Sequence, residues 1–293
     1  MLKVRHWEVM EVGETFGPIE VEVTDALVKD YVYSCDDFDT AYLHGSDRIA
    51  PPLLLCREAR DVIRTGYDLA SGGAGMHTKH SCQIHACAAI GERVTVTGEH
   101  VDKFVKHEKQ YIVLESRVNG ADGRLLLVQR STHLRGLKPG VKKIVAPSPM
   151  PLPIEGGTKP GDTVVQGAAL QSLSKRLSHE QLTVFAGSDW LNIHNSREVA
   201  RTAGLKGCVA SGLQSLAFVS ELMARYCGSG WREGGCLDVA FTAPLFADEP
   251  VHAGARVLDV VREGARKKLL TEVWCVTQTG VRVLTGRASG WIT

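Results

Sequence analysis

Hydrophobic and polar positions alternate along Gly17-Pro18-Ile19-Glu20-Val21-Glu22-Val23, a period of two that predicts a strand. The period then lengthens. Leu27, Val28, Tyr31 and Val32 fall on one face of a helix that Asp25 begins and Thr24 can cap. After a polar loop, Ile49-Ala50-Pro51-Pro52 leads into LLLCREARDVIR, where prolines suit a helix start and the apolar run suits a buried central helix. From Lys79 to Leu134 alternation returns, in segments broken at Ile90-Gly91-Glu92 and at Asn119-Gly120-Ala121-Asp122-Gly123, the second a strong hairpin signal. An antiparallel sheet wrapped on one helix is the expectation for this half.

The same programme then runs again. VVQGAALQ reads as a strand, Ser178 caps a helix from His179, a loop follows, a central helix starts at about Gly212, and antiparallel strands continue through Ile292. Placing Gly123 on Gly280 also places Glu92 on Glu249, Glu115 on Glu272 and Arg130 on Arg287. Within one loop, Asp37 and Tyr42 fall against Asp189 and His194. Internal similarity on this scale predicts two fused units of α+β class, residues 1–140 and 161–293, with a Pro- and Gly-rich linker at 141–160.

Composition narrows the function. With 34 basic and 33 acidic residues and a net charge of +1, the chain lacks the broad positive footprint of a nucleic-acid binder, so a small ligand is expected. No apolar stretch approaches the length of a membrane span, and MLKVRHWEVMEVGE has no signal-peptide core, which predicts a cytoplasmic protein that does not engage a membrane. Eight dispersed Cys without a CxxC pair read as small buried hydrophobes. His77, His80 and His85 share one segment, but His77 and His80 should point to opposite faces of a strand, and no metal is expected.

Asp-x4-His occurs three times. Asp102/His107 falls in an expected strand, where that spacing sends side chains to opposite faces. Asp39/His44 lies two residues out of the repeat register and reads as a solvated loop pair. Asp189/His194 lies in the loop that joins the short helix to the long buried one, and only the second unit carries a histidine there.

Around Asp189 the chain resembles the MaoC-like, hotdog-fold (R)-specific enoyl-CoA hydratases, whose motif is roughly Gly-Asp-x-Asn-Pro-(apolar)-His. Gly187-Ser188-Asp189-Trp190-Leu191-Asn192-Ile193-His194 keeps Asp, the apolar residue and His at that spacing. Ser188 intervenes after the Gly, Leu191 stands where the family has Asn, and Asn192 where it has Pro. Gly207-Cys208-Val209-Ala210-Ser211-Gly212-Leu213 resembles the family's turn into the hotdog helix, and Tyr42, Gly45 and Ile49-Ala50-Pro51-Pro52 resemble the non-catalytic N-terminal units of double-hotdog dehydratases. The resemblance implies two tandem hotdog units and a hydro-lyase of fatty acid metabolism that adds water to a 2-enoyl thioester of CoA or acyl carrier protein. It implies no cofactor beyond the thioester itself and is compatible with a homodimer.

Water addition to such a thioester needs a base for the water, an acid for the α-carbon and donors for an enolate-like oxygen. Asp189 and His194 can share the first two tasks. Backbone N–H groups of Gly212 and Leu213, at the positive end of the central helix, can supply the third, with Ser211 and Asn192 in support. The basic run Arg262, Arg266, Lys267, Lys268 can meet the CoA phosphates. Two other readings fit the same residues: a hotdog thioesterase that uses Asp189 alone, and a silent acyl-CoA-binding subunit.

Overall fold

The computed structural model describes residues 2–45, 48–71, 75–137 and 156–292. The first half runs β1 (Lys3–Val4), β2 (Thr15–Glu22), α1 (Asp25–Cys35), α2 (Thr40–Leu43), α3 (Cys56–Asp61), β3 (Tyr67–Asp68), β4 (Met76–Ile84), β5 (Arg93–Lys106), β6 (Lys109–Asn119) and β7 (Leu125–Leu137). The second runs β8 (Leu173–Lys175), α4 (His179–Ala186), α5 (Arg197–Thr202), α6 (Gly212–Cys227), α7 (Ser229–Arg232), β9 (Cys236–Phe241), β10 (Val251–Glu263), β11 (Arg266–Thr277) and β12 (Arg282–Ile292). The expected caps hold: Thr24 Oγ1 accepts from Leu27 N, and Ser178 forms a reciprocal capping box with Gln181.

Ten strands make one sheet in the order β2-β5-β6-β7-β4-β9-β12-β11-β10-β8. The order is symmetric about the central antiparallel β4–β9 pair, in which His80 lies opposite Val239. Each half is therefore one hotdog unit, and the chain has the α+β double hotdog architecture. The repeat survives at the level of single bonds. Glu115 faces Arg130 across β6–β7 as Glu272 faces Arg287 across β11–β12. Glu92 Oε2 accepts from Ala89 N at 2.9 Å, and Glu249 Oε2 accepts from Phe246 N at 3.2 Å. Most of the linker expected at 141–160, from 141 to 155, lies outside the described residues.

The two units differ in their central helix. In the second, Ser211 caps α6, Gln214 closes a capping box, and Leu216, Phe218, Val219, Leu222 and Met223 are completely buried. A helix apolar nearly all round has to lie inside, where each large apolar side chain contributes about 1.5–3 kcal/mol. In the first unit the expected long helix is only α3, followed by a 3-10 turn at Val62–Thr65. Leu53, Leu54 and Leu55 pass through turns, with Leu54 N bonded to Pro51 O and Cys56 N to Leu53 O, and all three are buried before α3 begins. The expected strand VVQGAALQ is also corrected. Residues 164–168 are irregular, Ala169 and Leu170 form only isolated bridges, and the edge strand is the three-residue β8.

Polar side chains lock the units together. Gln214 Nε2 donates to Ser34 O at 2.8 Å, Gln181 Nε2 to Tyr33 O at 2.8 Å, and Arg57 Nη1 to Phe185 O at 2.9 Å. Lys175 Nζ sits 2.7 Å from Glu221 Oε2 and also meets the Asp36 carbonyl. Beside this pair, burial and then the Glu221 charge push the buried Asp37 carboxyl up to about 7.

Candidate active site

The loop between α4 and α5 is folded on two asparagines. Asn195 Nδ2 donates to Gly187 O at 3.0 Å and Trp190 O at 3.1 Å, while its Oδ1 accepts from Asn192 N at 2.8 Å. Asn192 Nδ2 donates to Trp190 O at 3.2 Å and its Oδ1 accepts from His194 N at 2.9 Å. Both polar ends of Asn192 therefore serve the backbone, and it shapes the loop. Asp189 is exposed on this loop, and His194 is half-buried at its inner side.

His194 is fixed by one further bond, from Nδ1 to Val209 O at 2.7 Å. A carbonyl can only accept, so Nδ1 carries the proton and Nε2 holds a lone pair. Nε2 has no hydrogen-bond partner among the described residues. Burial, with a smaller effect of the Arg60 charge, lowers the imidazole to about 4 and keeps it neutral at pH 7. Val209 also pairs with Phe246 and precedes Ser211 by two residues, so the histidine is tied to the segment that starts α6.

At that helix start Ser211 Oγ accepts from Leu213 N at 3.4 Å. The Leu213 N–H is thus engaged, whereas the Gly212 N–H has no partner among the described residues. The glycine at 212 has a different reason from the one open backbone suggests: a Cβ there would lie 2.9 Å from the Phe241 ring. Phe241 packs against the start of α6.

The first unit reaches into the same place. Arg60 Nη1 lies 3.5 Å from Ser211 Oγ, and its other nitrogens grip the Asp61 carboxylate at 2.7 and 2.9 Å. Phe241 meets the His77 ring edge-on at 4.8 Å, and His77 stacks on His133 at 4.6 Å. Sequence reasoning missed Arg60 and Phe241. The signal for Arg60 was a pair of arginines inside an apolar run that reads as buried, where charge needs a reason.

Other expected sites separate from this one. His77 and His80 lie on the same face, 5.3 Å apart, because a bulge at Thr78 in the β4–β7 pairing adds one residue and reverses the alternation. No cluster of three metal-ligating side chains occurs among the described residues. His107 is in the β5–β6 turn with a φ of 48°, not in a strand. Asp39 Oδ1 caps α2 by accepting from Ala41 N at 2.9 Å, and His44 ends that helix. Of the basic run, Arg266 and Lys268 lie over Trp291, and Arg266 Nη2 is 3.7 Å from Glu233. That places them beyond the C-terminal end of α6, about 24 Å along the helix from Gly212; Arg262 and Lys267 face each other on the same hairpin. A different basic groove of about 310 Å³ opens beside Cys208, lined by Arg197, Arg201 and Lys206. No helix among the described residues is long and apolar enough to cross a membrane.

Residues 162–278 match the model of the MaoC like domain family. A MaoC-like dehydratase of known structure shares the fold with a TM-score of 0.76 at 17% identity, over 98% of this chain and 99% of that one. A MaoC domain protein from Chloroflexus aurantiacus, described as a putative dehydratase, aligns with a TM-score of 0.72 at 11% identity, over 100% of this chain and 98% of that one. The peroxisomal multifunctional enzyme type 2 of Drosophila melanogaster aligns with a TM-score of 0.66 at 16% identity, over 94% of this chain and 48% of that longer enzyme. A search of curated proteins by sequence gave no match. The chain thus has the double hotdog fold, and most of its C-terminal unit matches the MaoC like domain family.

Proposed function

We propose that the protein is a hydratase or dehydratase interconverting 2-enoyl and 3-hydroxyacyl thioesters, working in its C-terminal unit. One observation carries the reading: within a MaoC-like domain, the bond from His194 Nδ1 to Val209 O leaves a neutral imidazole with its Nε2 lone pair free, five residues after an exposed carboxylate.

In hydration, a water between Asp189 and His194 attacks C3 of the enoyl group while one of the two accepts its proton. Electrons move through C2 to the thioester oxygen, where the Gly212 N–H at the start of α6 offers a preorganised donor. The stored proton then passes to C2. The hydroxyl ends on C3 and the hydrogen on C2, so no cofactor enters the balance. Dehydration is the reverse. Asn192 and Asn195 support the geometry by holding the loop, and Ser211 by capping the helix that supplies the N–H.

The groove of Arg197, Arg201 and Lys206 is also lined by Cys208, the neighbour of the Val209 that holds His194, and suits the carrier's phosphates better than the distant hairpin. The test of the reaction is direct. Purified full-length protein mixed with crotonyl-CoA should bleach the enoyl-thioester absorbance and release no free thiol; thiol release instead would identify a thioesterase, and no change with any chain length a binding subunit.

A further inference from the structure

The shortened α3 leaves the inner face of the first unit's sheet without a full helix over it, and the side chains there are not apolar. Gln129 Nε2 bonds Cys56 O in α3 at 3.1 Å, marking the covered part of that face. Further along the same strands come His77 and His133, stacked and joined through Phe241 to Gly212. Beyond them Arg135 sits at an irregularity in the β6–β7 pairing, packed against Gly75.

Three guanidinium groups gather here, and their needs are met unequally. Arg60 has the Asp61 carboxylate. Arg5 Nε donates to Ser71 O at 3.2 Å, and its Nη2 to Leu69 O. Arg135 has no ion pair or hydrogen bond among the described residues, and its Nε is buried without an acceptor. Both ring nitrogens of His77 are equally buried and unpartnered. A half-buried guanidinium with no counter-charge is costly, and its own neighbours make it worse. Burial, then Arg5 and Arg60, lower Arg135 to about 9. Buried donors left without an acceptor on Arg135, in a cluster of three guanidinium groups of which only Arg60 holds a carboxylate, are complementary to an anion.

We propose that Arg135, with Arg5 and the His77 ring beside it, binds a carboxylate carried on the acyl group, so that the substrate is an enoyl or 3-hydroxyacyl thioester of a dicarboxylic acid. The proposal deepens the hydratase reading and rests on it. A planar carboxylate matches the guanidinium fork with two parallel bonds, which a methyl terminus cannot replace. Contiguity with Phe241 and Gly212 puts this anion on the acyl side of the thioester, away from the basic groove beside Cys208.

The experiment compares pairs of 2-enoyl-CoAs of equal length that end in a carboxylate or a methyl, fumaryl-CoA against crotonyl-CoA and 2-hexenedioyl-CoA against 2-hexenoyl-CoA. The carboxylate member of at least one pair should have kcat/KM about 100-fold higher, and Arg135→Met should bring that ratio close to unity. Arg135→Met should also raise the melting temperature of the free protein, since it removes an unpaired, half-buried charge, and Arg135→Lys should give an intermediate ratio. Equal rates within both pairs would overturn the proposal. So would an Arg135→Met variant that weakens both members equally, which is the pattern for a contact to the shared CoA phosphates or for a structural role. Should no enoyl thioester turn over, the hydratase reading fails on its own, and calorimetric binding of succinyl-CoA against butyryl-CoA decides the anion site: preference for succinyl-CoA supports it and equal affinity removes it.

Discussion

Pro52 stands in the first unit where Gly212 stands in the second. The backbone bond from Ala50 N to Ala88 O, at 3.2 Å, is matched by the bond from Ala210 N to Leu245 O, at 2.8 Å, and the next two residues are Pro51-Pro52 in one unit and Ser211-Gly212 in the other. Proline has no N–H to donate and no hydroxyl to cap a helix. The first unit therefore lacks both the capped helix start and the open donor, besides carrying Tyr42 in place of His194.

Because two features are missing together, restoring one should not create a second site. Tyr42→His in a His194→Ala background is expected to give no measurable hydration of crotonyl-CoA above the His194→Ala protein. Activity regained by that single change would show that the helix start contributes little.

The half-buried, neutral state of His194 sets the acid limit of catalysis. A proton on Nε2 would block its role as acceptor, so kcat/KM should hold as pH falls through the ordinary imidazole range and decline only as it nears about 4. The profile is measured where circular dichroism shows intact protein. An inflection at the usual histidine pKa would mean that His194 is solvated in the working enzyme.

Asp37 gives a stability test with the opposite sign. Its folded pKa, raised to about 7, lies above that of the unfolded chain, so the wild type loses stability as pH rises from the normal carboxylate range to about 7, and then levels off. Asp37→Asn does not titrate. It should be close to wild type near pH 4 and more stable by roughly 4 kcal/mol at pH 8, measured by denaturant unfolding. A stability difference independent of pH would mean that the Asp37 carboxyl is ionised in the fold at little cost.

The two basic surfaces make different claims on the carrier. Arg201→Ala combined with Lys206→Ala should raise KM for an enoyl-CoA about 10-fold with kcat nearly constant, since contacts to phosphate bind substrate and transition state alike. Lys267→Ala should leave both unchanged. The reverse pattern would return the phosphates to the β10–β11 hairpin.

Much of this was legible before any coordinates. Caps at Thr24 and Ser178, the hairpin at Gly123 and the paired Glu–Arg positions are local or periodic signals, and the strands and helices follow them. What escaped was set by single residues acting against the pattern or by tertiary approach. An extra residue at Thr78 reversed the faces of His77 and His80, and the apolar run that reads as a long helix opens in turns and closes in a 3-10 turn. Arg60 reaches Ser211 across 151 positions of sequence, a contact no spacing announces.

The central claim is that Asp189 and His194 move the proton between water and C2. Its most direct test is the single-turnover rate of hydration for Asp189→Asn and for His194→Ala, alongside Asp39→Asn as the same change in the first unit's own Asp-x4-His pair. Asp189→Asn and His194→Ala should each lose at least about 100-fold in rate with a melting temperature within a few degrees of wild type, and Asp39→Asn, which keeps its helix cap, should lose neither rate nor stability. Wild-type rates in folded Asp189→Asn or His194→Ala protein would contradict the account and place the chemistry elsewhere.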